Sequence, residues 1–337
     1  MITDRYYYSC LTEKEKRIYT RLYKGVTLLE KRILIPEPVE RESVRRIYQA
    51  ITDDNPYLYY FNQSVLNTAV SDQAIIFMPQ YFCTAEQIAI YNGRLNQIIN
   101  QIIADLDLLN VDEPTKEKRI HDYFCNNIVY DMQGTRQDSA FGRLVAAHSI
   151  IGVFARKRGV CEGISKAVKL LFNAVDMGCI VVTGKSKGNS EHAWNVIKVD
   201  GHAYHLDMTW DVANSRPDRI CYDYYNLPEN AILLDHSEFT GIPYCTEWYE
   251  NYFYKNGWFF SSQRELEKYI NQSIDQGKHD LYFRLKKLKF GSMRSAVQSA
   301  QKFVLEKLEK ESDIQWTVNS TLNEEQRIGR INMGTHE

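Results

Sequence analysis

The stretch His192-Ala-Trp-Asn-Val-Ile-Lys-Val-Asp-Gly-His-Ala-Tyr-His-Leu-Asp-Met-Thr-Trp-Asp211 decides the fold. Its arms, Ala193 to Val199 and His202 to Thr209, read as strands, and between them Asp200-Gly201 is the strongest short hairpin signal. A two-residue type I′ turn needs positive φ at both central positions, which Asp-Gly tolerates. With that dipeptide as the turn, Val199 pairs with His202 and Trp194 faces Asp207. His192 and Asp207 then lie diagonally on one face, about 7–8 Å apart, within reach of an imidazole–carboxylate contact. His205 shares that face and His202 points the other way. Both are expected to be structural.

Working outward, Cys179-Ile-Val-Val-Thr183 is a third strand candidate. Before it, Ile164, Val168, Leu171 and Val175 recur at helical spacing, so a helix with one face on a core begins at or near Cys161 and stops by Gly178. A helix N-terminus beside the basic stretch Arg156-Lys-Arg158 favours a thiolate over a thiol. Cys161 is therefore a candidate nucleophile, His192 its base, and Asp207 the group that orients the imidazole. Trp194, Asn195, Trp210 and Asp211 are expected to shape the site or fill the core, with Trp194 able to wall a cleft.

Further upstream, residues 85–109 carry a long amphipathic helix. Asp112-Glu-Pro114 breaks it and opens a second helix from about Thr115 to Ile128. Residues 13–25 also read as a helix. Tyr57–Phe61 and Ala74–Phe77 read as strands, and Asp131–Arg143 as a surface loop. Beyond Pro217 the chain is Tyr-rich and irregular. The tail reads strand (258–260), helix (264–276), strand (280–285) and helix (296–311).

The composition excludes several classes. The 41 Lys and Arg balance 43 Asp and Glu, for a formal charge of -2. A general nucleic-acid or membrane-surface binder needs a basic excess. The seven cysteines contain no CxxC pair, which argues against a disulfide framework or a paired-Cys zinc site and fits a reducing compartment. Apart from Cys161, the cysteines are expected to be buried and inert. The opening MITDRYYYSCLTEKEKR has no apolar core of a secretory signal, so a cytoplasmic location is the expectation. Cys161, His192 and Asp207 are ligand types for zinc, but gaps of 31 and 15 residues match no metal motif, and no metal or cofactor is expected. No clustered acidic loop supports calcium activation. The basic run Arg284-Leu-Lys-Lys-Leu-Lys289, with Arg294, is expected to form a solvated face.

Taken in order, Gly159-Val-Cys-Glu-Gly163, Val182-Thr-Gly184, His192-Ala-Trp-Asn-Val196, Val199-Asp-Gly201 and Tyr204-His-Leu-Asp-Met-Thr-Trp-Asp211 resemble the bacterial transglutaminase-like superfamily. Ile120-His-Asp-Tyr-Phe124 and Ile128-Val-Tyr-Asp131 resemble the helix these domains carry before the nucleophile, and Tyr222 through His236 resembles their closing region. The likeness covers roughly residues 45 to 245. It implies an α+β, papain-like core in which a nucleophile helix packs on an antiparallel sheet, with Cys161, His192 and Asp207 as the catalytic set. Glu162, Trp194 and Trp210 would bind substrate or shape the site.

The family's chemistry runs through a thioester: the cysteine attacks a carboxamide or peptide carbonyl, an amine leaves, and water or a second amine takes the acyl group. Animal transglutaminases stabilise the oxyanion with a Trp upstream of the nucleophile, whereas all five Trp here (194, 210, 248, 258 and 316) follow Cys161. That departure favours hydrolysis, with a Tyr, Gln or His from 121–148 joining the Cys161 N–H as oxyanion donor. The expectation is a peptidase or amidase acting on a peptide or protein, with acyl transfer to an amine and a non-catalytic scaffold as rivals. The chain is expected to divide into an N-terminal α/β segment (1–105), a catalytic core (106–249) and a small C-terminal α/β segment (250–337).

Overall fold

The helix expected at Cys161 spans Cys161–Asn173, and Ile164, Val168, Leu171 and Phe172 are fully buried along its core face. It packs on the strands Cys179–Ser186 and Ser190–Val199, which pair antiparallel with each other and, through the second, with His202–Leu206, giving the α+β architecture that the resemblance implies. Val199 pairs with His202 and Asn195 with Leu206, the register that the Asp200-Gly201 turn dictates. Asp200 and Gly201 have φ of 47° and 88°, the left-handed values of a type I′ turn.

In this computed structural model the described residues are 5–36, 39–63, 66–70, 74–135, 141–288, 291–311 and 314–335. They divide into two compact units, Met1–Tyr224 with Ser237–Thr246, and Tyr225–His236 with Glu247–Glu337. The first 105 residues thus share a unit with the core. The helix Cys161–Asn173 explains this, because it buries two lysines as well as its apolar stripe. Lys166 Nζ donates to Gln63 Oε1 at 2.6 Å, and Lys169 Nζ to the Cys179 carbonyl at 3.2 Å. Opposite them the helix Arg41–Asp54 ends in two buried carboxyls. Burial pushes Asp53 up to about 7 against the pull of Lys166. It pushes Asp54 up to about 6, although the Tyr7 and Tyr8 N–H groups and Lys169 favour its charge.

Other elements follow the pattern. The helices Glu13–Thr27 and Ala85–Asp105 both begin with a capping box, at Thr12/Glu15 and Thr84/Gln87. The helix Glu113–Asn127 begins at the Asp112 cap with Pro114 in its first turn. Tyr57–Phe61, expected as a strand, is turn structure with one bridge, Phe61 to Tyr81. Leu58, Tyr59, Tyr60 and Phe61 are all buried in succession, so this run has no alternation to support a half-buried strand. Within 131–143, residues 132–135 form turns and a short helix begins at Phe141; residues 136–140 lie outside the described residues.

The second unit orders its strands Phe259–Phe260, Asp280–Leu285, Ile328–Thr335, Trp316–Asn323, the first pair parallel and the others antiparallel. The helices Gln263–Asp275 and Met293–Glu311 complete its core around Ile270, Phe283, Val297 and Val304. Arg284, expected on a solvated face, is buried within this sheet; Lys286 is exposed and Lys289 lies outside the described residues. Among the described residues no helix is long and apolar enough to cross a membrane.

Candidate active site

Cys161 is the first residue of its helix, where backbone N–H groups lack intrahelical partners and the helix dipole is positive. It is reached through a short strand, Arg158–Gly159, that runs parallel to Val129–Tyr130, with Tyr130 opposite Gly159. Gly163 lets the preceding chain lie against the first turn: a Cβ there would sit 2.4 Å from the Ala147 carbonyl oxygen. Asn195 then ties helix to sheet. Its fully buried amide donates to the Ser165 carbonyl at 3.0 Å and to the Ile180 carbonyl at 3.1 Å.

The structure pairs His192 with Asp207. His192 Nε2 lies 2.8 Å from Asp207 Oδ2, and Cys161 lies near enough to act on the charge of the same imidazole. Burial disfavours the imidazolium, but the charge and hydrogen bond of Asp207, followed by Cys161, raise His192 to about 10. Asp207 is fully buried and caps the helix Met208–Asn214, its Oδ1 accepting the Trp210 N–H at 3.1 Å. Its two oxygens thus divide between a helix cap and the histidine.

The aromatic candidates back the imidazole. Trp194 is fully buried, lies near-parallel to His192 with centroids 6.0 Å apart, and donates from Nε1 to His205 Nδ1 at 3.0 Å. It therefore supports His192 from the core and does not wall a cleft. Trp210 is half-buried, 5.6 Å from the His192 ring and edge-on to Tyr224. Glu162 sits between Lys166 and His148, with contacts of 2.5 and 2.9 Å, and these partners outweigh the cost of burial to hold its carboxyl at about 2. Its place is an ionic anchor of the helix start. Arg156 and Arg158 line a cavity of about 240 Å³ with Asp131, and Lys157 Nζ donates to Tyr123 Oη at 2.6 Å.

Sequence reasoning counted His121 only among the candidate oxyanion donors of 121–148 and did not foresee its buried network. His121 is fully buried, stacks on Tyr222 with centroids 4.8 Å apart, and meets Asp211 at 3.1 Å and Asp122 at 3.4 Å. Asp211 also accepts the Tyr224 N–H at 3.1 Å, while the Tyr224 carbonyl accepts the Asp207 N–H at 3.2 Å. The chain of contacts from His121 through Asp211 and Tyr224 ends at Asp207. Its signal was the Ile120-His-Asp-Tyr-Phe124 motif read together with Asp211, two features that sequence separation hides. Among the other cysteines, Cys179, Cys221 and Cys245 are buried as expected, whereas Cys83 and Cys125 are half-buried and Cys10 is exposed. Cys10 differs because it closes a five-residue helix, Tyr6–Cys10, that buries none of its residues.

Residues 104–208 match the model of the transglutaminase-like superfamily. Over 168 residues the chain is 20% identical to the kyphoscoliosis peptidase of Mus musculus, covering 45% of this chain and 24% of that protein. The chain thus spans about a quarter of that relative's length. Among solved structures, a TGase is similar at a TM-score of 0.33 and 16% identity, over 56% of this chain and 53% of that one. A proposed cysteine protease from Cytophaga hutchinsonii is similar at a TM-score of 0.28 and 13% identity, over 42% of this chain and 55% of that one.

Proposed function

We propose that this chain, which carries a transglutaminase-like superfamily domain over residues 104–208, is a cysteine-dependent hydrolase of a peptide or carboxamide bond. The observation that carries the reading is the buried pair of His192 with Asp207, at 2.8 Å, beside a cysteine at a helix N-terminus that acts on the same imidazole. With Nε2 on Asp207, Nδ1 is the nitrogen that exchanges the proton with Cys161.

The thiol proton passes to His192, and Sγ attacks the carbonyl carbon. The tetrahedral oxyanion collapses, the C–N bond breaks, and the amine leaves with the proton from the imidazolium. Water, deprotonated by His192, then attacks the thioester and releases the carboxylic acid and the thiol. The Cys161 N–H is one oxyanion donor. Tyr130, which pairs with Gly159 two residues before Cys161, is the proposed second; among the other described candidates of 121–148, His121 is engaged by Asp211 and His148 by Glu162, Tyr123 holds Lys157, and Gln133 is exposed, while Gln137 lies outside the described residues. Burial, and then the nearby charges of Cys161 and Asp207, push the Tyr130 phenol up to about 12, so it keeps the proton it would donate.

The test is turnover of fluorescent casein and of glutamine-carboxamide peptides, with ammonia and new carboxyl termini assayed separately, in the native chain, Cys161→Ala and His192→Ala. Release of either product, lost in both variants, supports hydrolysis. Incorporation of an added amine in place of water would shift the reading to acyl transfer. Failure of the native chain to form a covalent adduct with a peptide aldehyde or chloromethyl ketone would favour a scaffold that keeps the fold.

A further inference from the structure

The basic run of the C-terminal unit has an arrangement that a solvated face does not explain. Arg284 lies on the strand Asp280–Leu285 and is only 2% exposed. Its Nη2 donates to Gln326 Oε1 at 2.5 Å, and its guanidinium carbon lies 5.0 Å from the centre of the Trp248 ring. Trp248 in turn stacks on Phe259, with centroids 4.7 Å apart. Gln326 is fully buried, and its amide nitrogen donates to the Ala231 carbonyl at 3.1 Å and to Asp235 Oδ2 at 2.9 Å. That fixes the amide so that its oxygen faces the guanidinium. Along this chain of bonds the Asp235 carboxylate is one amide removed from Arg284 and also meets His236 Nδ1 at 2.7 Å.

Arg284, Gln326, Trp248 and Phe259 line a cavity of about 180 Å³ whose wall also carries Lys286 and Arg327, and among the described residues no carboxylate lines it. Arg327 is braced there, its Nη1 donating to the Lys286 carbonyl at 2.8 Å. Three basic residues, one of them buried and stacked on an aromatic ring, therefore line a small hollow. A guanidinium stacks on an indole through its face, which leaves its planar edge as the side that meets a forked acceptor.

We propose that this cavity binds an oxyanion, the carboxylate or phosphate group of a small ligand. Arg284 supplies the forked contact, Lys286 and Arg327 supply charge at the wall, and Trp248 packs beside the group. The size suits the anionic end of a ligand and little more. The inference is independent of the chemistry assigned to Cys161.

The experiment is titration of the full chain with inorganic phosphate and, separately, with acetate, at ionic strength held constant with chloride. It is read by thermal shift, by Trp fluorescence and by calorimetry. A saturable response to phosphate alone identifies a phosphate site; a response to acetate alone identifies a carboxylate site; a response to both identifies a general oxyanion site. Each must weaken at least tenfold in Lys286→Ala and in Arg327→Gln, which alter the wall without emptying the buried network. Arg284→Met, checked for folding by circular dichroism, should abolish it. A response that chloride reproduces, that never saturates, or that survives unchanged in Lys286→Ala and Arg327→Gln overturns the proposal.

Discussion

Asn195 offers a severe test of how the site is held. Its side chain is fully buried and bridges the Ser165 carbonyl, one turn past Cys161, to the Ile180 carbonyl on the neighbouring strand. His192 sits on the same strand as Asn195. Asn195→Ala removes two fully buried hydrogen bonds, each contributing about 1.5 kcal/mol at the upper end of the usual net range. The expected loss is about 3 kcal/mol, or roughly 150-fold faster exchange of amides that open with this unit. Hydrogen exchange with mass spectrometry on peptides from 161–206 reads this region separately from the second unit. Cys161 alkylation should slow in parallel, because helix and strand lose their common anchor. Exchange within a few-fold of native, with unchanged alkylation, would refute the argument that this amide sets the separation of Cys161 from His192.

Four further outcomes follow from the charges. Asp207→Asn removes the charge that raises His192 to about 10, so the rate advantage of Cys161 over the other cysteines in alkylation at pH 7 should fall by at least about tenfold. In the native chain the raised His192 contributes stability that is complete below its unfolded value near 6.5 and is lost as pH rises through about 10; urea titrations at pH 6 and above pH 10 should show that loss, and Asp207→Asn should abolish it. Asp53 is raised to about 7, so the folded state holds a proton that the unfolded state releases near 4, and stability should fall as pH rises between those values; Asp53→Asn should flatten that slope in urea titrations. His121→Gln should lower Tm more at pH 8 than at pH 5, because Asp211, raised to about 6 by burial, can then take up a proton in place of its lost cation; an equal drop at both values would contradict the ion-pair account.

The hairpin and its register were legible because Asp200-Gly201 leaves few choices, and one fixed turn places every residue of both strands on a known face. The helix at Cys161 was legible from its stripe of four apolar residues, but the burial of Lys166 and Lys169 was not, since it depends on Gln63 and on Asp53 and Asp54 at the end of the helix Arg41–Asp54. Those contacts also tie the first hundred residues to the core. The closing hairpin, Trp316–Asn323 with Ile328–Thr335, escaped because Trp316-Thr-Val-Asn-Ser-Thr-Leu-Asn places polar residues on both faces and buries only Val318 in its first strand. Arg284 was misread for the opposite reason: a basic run suggests solvent, and only the sheet register turns one of its members inward.

The central claim is that His192 and Asp207 make Cys161 a nucleophile, and site-resolved alkylation by iodoacetamide tests it most directly. The rates of all seven cysteines would be mapped by mass spectrometry between about pH 4 and pH 9, in the native chain and in His192→Ala. The account predicts that Cys161 reacts far faster than the other six below pH 7 and loses that advantage without His192. A Cys161 that titrates as an ordinary thiol near pH 8.5, or is unchanged by His192→Ala, would contradict it.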